Sequence, residues 1–300
     1  MKKVMLILAA ACMTVAANAK ILRVSNVSGS SAPYSSIDAA HDAAKAGDTI
    51  MVDASSAKYG GTYGKYDITK KLVIIGPGYW LVQNNVVSEG SSSAIVATLN
   101  LKTEGIVVKG MEIGTLNVSA SKAVINRCYI NDLNFSSGAD NGVVSQCYIT
   151  GQPSGANYIQ MTNNIFTSTT NYTLLSGFNN SYIAYNTFRN KNVQLSSITN
   201  TTFEHNLWKD IKNSSATNSL NDNYSTEIIN TQATNDFIDK DYYALEIPAD
   251  VISKYGAFAG DSPYVFAGVP SGPVIQDLIV PTTVEMGSKM NVTVKIGMVK

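Results

Sequence analysis

The chain is short of charge, histidine and arginine. Charged residues make up 15% of it, 22 Lys and Arg balance 22 Asp and Glu, and there are two histidines. Arginine occurs only at Arg23, Arg127 and Arg189. Without a basic surplus a chain cannot neutralise a run of phosphates, which excludes nucleic acid and an anionic membrane surface as partners. No spacing of His, Cys and acids suggests zinc, so no metal ligand is assigned. Phosphate loops and nucleophile elbows are missing too. Past residue 17 no apolar run is long enough to span a bilayer.

The first segment reads as a targeting signal. Lys2 and Lys3 precede the apolar run Val4 to Ala17, and Ala17-Asn18-Ala19 offers small residues for cleavage before Lys20. A rival reading takes Ala9-Ala10-Ala11-Cys12 as a lipoprotein box, at the cost of an unusually short apolar region. Either way the expected location is secreted, periplasmic or cell-surface. Cleavage before Lys20 removes two lysines and no acids, so the mature chain is slightly acidic.

What is abundant is apolar residues, at 45%, with Asn, Ser, Thr and Gly. Disorder fits poorly, because disordered chains are poor in Ile, Val and Tyr. From about residue 105 to 211 one phrase recurs: apolar, two variable residues, Cys or Asn, one variable residue, then apolar or aromatic. Examples are Val108-Lys-Gly-Met111-Glu-Ile113, Ile125-Asn-Arg-Cys128-Tyr-Ile130 and Ile183-Ala-Tyr-Asn186-Thr-Phe188. The key position falls at 111, 128, 147, 164, 186 and 206, in steps of 17 to 22 residues. Strand-forming residues at that step predict a β-solenoid, each strand pairing in parallel with its equivalent one coil later, about 4.8 Å away.

Equivalent residues must then stack in files. Positions 108, 125, 144, 161, 183 and 203 are apolar, as are 113, 130, 149, 166, 188 and 208, and both files should line the interior. Between them the file from Cys128 and Cys147 to Asn164, Asn186 and Asn206 should hydrogen-bond from coil to coil. Asparagine also tolerates the left-handed backbone that a sharp turn needs. Two cysteines in a secreted chain suggest a disulfide, but side chains in register run parallel, which favours buried free thiols.

The resemblance rests on three features. Tyr34-Ser-Ser-Ile37-Asp-Ala-Ala40 followed by Ala46-Gly47-Asp48-Thr49-Ile50 resembles a capping helix, a Gly-Asp turn and a first strand. Ile68 to Tyr79 resembles the early coil after it, and the repeated coils are the third feature. Over about residues 30 to 230 the chain resembles the pectate-lyase-like right-handed parallel β-helix superfamily, in particular secreted members of Bacteroidetes type. The resemblance implies an all-β, right-handed, single-stranded parallel β-helix with a short N-terminal capping helix and an irregular C-terminal cap. Residues 1–19 are then signal, 20–235 the capped β-helix, and 236–300 the last coil, C-terminal cap and strand-like tail. Ile37, Ala40 and Ala44 share one helical face, as a cap requires.

The resemblance also implies a polysaccharide or cell-surface glycan as partner, and a monomer. Hydrolases of this kind place aspartates on neighbouring coils, and lyases hold calcium with acids beside an Arg or Lys base. The acids of the repeat, Glu104, Glu112, Asp132, Asp140, Glu204 and Asp210, are scattered, so no catalytic residue is assigned and calcium is expected only of a lyase. His41 reads as part of the cap, and His205 as a surface residue beside Glu204. The candidate binding residues are Tyr129 and Tyr148, outward on adjacent coils, with Arg127 and Gln146 beside them. Flat aromatics with polar neighbours suit a sugar, and the same tyrosines can equally serve as a stacked cross-strand pair. Three functions stay open: a glycan-binding β-helix, an active polysaccharide lyase or glycoside hydrolase, and a structural or adhesive solenoid.

Overall fold

Short strands that each bury one residue in two build the wall of the molecule. In Val107–Lys109, Val124–Asn126 and Val143–Ser145 the middle residue is buried and its neighbours are not. The computed structural model describes residues 19–86, 93–168, 172–189, 192–227, 239–243, 247–279 and 292–299; the segment 1–19 expected to be a signal lies almost wholly outside them.

The chain is a parallel β-solenoid. A first wall of ten parallel strands runs from Ile21–Val24 to Ser219–Asn221. A second wall of nine runs from Lys65–Ile68 to Tyr224–Ser225, and a third of three joins Tyr172–Ser176, Asn192–Ser196 and Ile211–Lys212. Val108, Ile125, Val144, Met161, Ile183 and Phe203 are in register and fully buried. Ile113, Ile130, Ile149, Phe166 and Phe188 form the facing file, and Phe166 and Phe188 stack at 4.6 Å. Burial of each such side chain contributes roughly 1.5–3 kcal/mol.

Helix α1 (Ile37–Ala43) covers the first coil with Ile37, Ala40 and Ala44. Ser36 Oγ caps it by accepting from Ala39 N, and Lys70 Nζ donates to the carbonyls of His41, Asp42 and Ala44 at its far end. An ammonium there satisfies orphan carbonyls and complements the helix dipole. His41 is buried and accepts from Thr69 N at 3.2 Å, which fits the structural part expected of it. The turn that follows has Gly47 at φ +93, and Asp48 accepts from Lys20 N and Lys45 N.

The Cys/Asn file sits at the corner between the first and second walls, and all its members are buried. Each backbone N–H that the corner turns out of the sheet donates to the next side chain in the file. Cys128 N donates to Cys147 Sγ, Cys147 N to Asn164 Oδ1, Asn164 N to Asn186 Oδ1 and Asn186 N to Asn206 Oδ1. Asn206 N continues it to Asn223. Cys128 and Cys147 are free, and burial pushes the Cys147 thiol well above its ordinary value.

One expectation shifts by a residue. The left-handed backbone falls not on the asparagines but on the residue before each: Gly110, Arg127, Gln146, Asn163, Tyr185, His205 and Asp222, with φ between 42 and 62. The file residue points inward, and its predecessor makes the turn and throws its own side chain outward.

Residues 255–270 run as a strap along the outside of that corner. At the far end Leu220, in the core file, stays 41% exposed. Beyond the strap, Gly272–Ile279 pairs antiparallel with Thr293–Val299, and no solenoid strand joins this hairpin among the described residues.

Candidate functional site

The structure brings all four sequence-predicted site residues together and covers most of them. Tyr129 and Tyr148 stand opposite each other on adjacent coils with rings stacked at 5.5 Å and 11°. Trp80 places its edge against both, at 5.2 and 4.8 Å. Tyr129 is half-buried; Tyr148, Arg127 and Gln146 are only 4%, 5% and 7% exposed. The outward direction expected of Arg127 and Gln146 is right, but solvent is not what they meet.

They meet the strap. Arg127 Nη1 donates to Val269 O at 2.9 Å, and its Nε to Gln146 Oε1. Gln146 Nε2 donates to Ser262 O and Pro263 O, and Asn163 Nδ2 to Ala257 O and Ala259 O. Further down Ala257 N donates to Thr187 Oγ1 and Gly256 N to His205 O. Three outward residues of the left-handed file, Arg127, Gln146 and Asn163, are thus donors that read strap carbonyls. Sequence reasoning missed this role, although its signal, the residue before each Cys or Asn, was in plain view.

The top of the strap is locked by a buried polar relay. Tyr79 and Tyr264 share a very short hydroxyl contact, and Tyr264 OH donates to Asp239 Oδ2 at 3.1 Å. Asp239, on helix α2 (Asp239–Tyr243), is fully buried and also accepts from Ala267 N, Asn84 Nδ2 and Lys240 N. Burial pushes its carboxyl up, and those four donors pull the other way. Both tyrosines are driven well above the ordinary phenol value, chiefly by burial. Nothing in the sequence marked Asp239, which lies outside the repeat.

An open cluster lies on the lower coils. On the outer face of the first wall one file passes from Val73, Val107, Val124 and Val143 to Gln160, Tyr182, Thr202 and Ser219. Tyr182 is 36% exposed and its OH donates to Glu204 Oε2 at 2.8 Å. Partial burial, then the Glu204 carboxylate, push this phenol up to about 12, so it stays a donor. Glu204 Oε1 lies 3.8 Å from His205 Nδ1, and Asp222 Oδ2 lies 3.4 Å from His205 Nε2. Tyr255 OH donates to Asp222 Oδ1 at 2.8 Å, and that bond raises the Tyr255 phenol. His205 is stacked between Tyr185 at 4.8 Å and Tyr255 at 5.9 Å. The result is a sequence Tyr–carboxylate–imidazole–carboxylate–Tyr along the open edge of the corner. Sequence reading saw Glu204 and His205 as neighbours but not the groups from other coils and helix α3 (Ala249–Ile252), which leads into Tyr255.

Among the described residues no group of three or more His, Cys, Asp and Glu could hold a metal ion, and no helix is long and apolar enough to cross a membrane. No protein-family model, curated protein or solved structure matches the chain.

Proposed function

We propose that this β-solenoid works outside the inner membrane as a polysaccharide-binding protein, with its binding surface on the lower coils around Tyr182. What carries the reading is a ring more than a third exposed on a parallel face, hydrogen-bonded to an acid and flanked in register by Gln160 and Thr202, with Ser219 one coil further on. An aromatic face covers the apolar side of a sugar, and short polar side chains at the spacing of the strands meet its hydroxyls. The resemblance to secreted pectate-lyase-like β-helices of Bacteroidetes type, and a leader of signal-peptide pattern, support the extracellular setting. The Tyr129 patch contributes one half-open ring; Arg127, Gln146 and Tyr148 serve the strap and reach a ligand only with the strap lifted.

The test is retention on a panel of immobilised or gel-embedded polysaccharides. Wild-type protein is expected to be retarded by at least one glycan, and Tyr182→Ala to lose that retardation while Tyr129→Ala keeps it. A panel with no retardation removes the reading. His205 between two carboxylates favours a second one, an active hydrolase or lyase. New reducing ends, or unsaturated products formed with or without calcium, would establish it.

A further inference from the structure

The corner is unusual in what faces its two acids. Among the described residues neither Glu204 nor Asp222 pairs with a lysine or arginine; their partners are Tyr182, Tyr255 and His205. Both remain open, with side chains 33% and 64% exposed. Two of the three arginines are committed elsewhere, Arg127 beneath the strap and Arg23 clasped by Asp53 at 2.8 Å. The corner therefore offers a ligand two carboxylates and several aromatic rings.

Those groups suit a particular ligand charge. A uronate carboxylate brought here would meet like charge, which costs affinity unless a cation intervenes. An ammonium group would gain twice: from the carboxylates, and from the exposed ring of Tyr182, since ring faces attract cations. Neutral sugars would gain only stacking and hydroxyl bonds.

Resting on the polysaccharide-binding reading above, we infer that the corner of Tyr182, Glu204, His205, Asp222 and Tyr255 is a subsite for a glycan bearing free amino sugars. Selection comes from charge, the common sugar-binding part from the rings.

Three probes separate the outcomes: oligosaccharides of glucosamine, of N-acetylglucosamine and of galacturonate, titrated at low ionic strength. The glucosamine oligomer is expected to bind tightest, and added salt to weaken it. Each of Glu204→Gln and Asp222→Asn should cost roughly fivefold on that probe, the size of an exposed ion pair, and clearly less on the acetylated one. Asp38→Asn, in the cap helix at the other end, controls for general attraction of cations to an acidic protein and should change nothing. Tyr182→Phe keeps the ring and shows whether the phenol orients Glu204; circular dichroism checks that each variant folds. Equal binding of the amino and acetylated probes, or preference for galacturonate, overturns the charge assignment while the glycan reading stands. Binding of none of the three, together with an empty polysaccharide panel, overturns both.

Discussion

At the residue scale, Cys128, Cys147, Asn164, Asn186 and Asn206 do one job with two chemistries. From Cys147 onward each supplies an acceptor to the backbone N–H of the file residue one coil earlier, beginning with that of Cys128, and burial makes that service obligatory. Asn186→Ala strands Asn164 N and empties the site of the Asn186 amide. It should cost about 2–4 kcal/mol, on the order of 1–3 for each buried group left unpaired, read from urea denaturation. Asn186→Cys should cost less, since a thiol already fills this position two and three coils earlier. Because both thiols are buried and Cys147 is held far from ionisation, thiol reagents should label neither Cys128 nor Cys147 in native protein and both after denaturation. The inward files and the ladder were legible because one side-chain type repeats at one spacing. The left-handed position was misplaced by one residue because Arg, Gln and Tyr carry no mark of a positive φ; Gly110, Asn163, His205 and Asp222 hint at it, but share no single residue type. Tyr148 looked like a surface ring because a repeat tells which way a side chain points, not what later covers it.

At the element scale the strap is the part that sequence reading could not supply. Its sequence is punctuated by Gly256, Gly260, Pro263 and Gly268, which reads as irregular chain and no more. The contacts that hold it come from donors and acceptors spread over some 80 residues of the solenoid. Gly268 shows how tight the seat is: a Cβ there would lie 2.3 Å from the Tyr79 ring and 2.4 Å from Arg127 O. Arg127→Ala should leave the solenoid folded and loosen the strap, since a charge-assisted bond to Val269 O and the brace on Gln146 go together. Limited proteolysis should then cut within 255–270 several times faster. Asp239→Ala leaves Ala267 N and one hydroxyl of the Tyr79–Tyr264 pair buried without an acceptor and should act in the same direction more strongly. Cleavage in Arg127→Ala no faster than in wild type would mean that apolar seating alone holds the strap.

At the scale of the whole molecule, stability should follow pH through a few carboxylates. Asp67 is held below its ordinary value by Lys102 and Asn100, Glu104 by Lys122, and Asp48 by the N–H groups of Lys20 and Lys45. A folded-state pKa below the unfolded one gives stability that is present above the ordinary carboxylate range and is lost as pH falls through the depressed values. Asp239 runs the other way: with its pKa raised, its contribution is complete below the ordinary range and declines as pH rises through the higher value. The melting temperature should therefore drop on acidification, less steeply in Asp67→Asn and Glu104→Gln. A slope unchanged by both substitutions would show that these ion pairs contribute nothing measurable, as many exposed ones do.

A pure stack of coils has no means of counting itself, because each turn touches only its neighbours and one more fits as well as the last. The strap changes that. It is fastened at His205, Thr187, Asn163, Gln146 and Arg127, so its span has to agree with the number of turns between the lowest and highest fastening. Excising one whole turn between Arg127 and His205 would leave an intact wall and a strap one rung too long. In that sense the C-terminal segment works as a gauge, and solenoid length in this region is set by what it can reach.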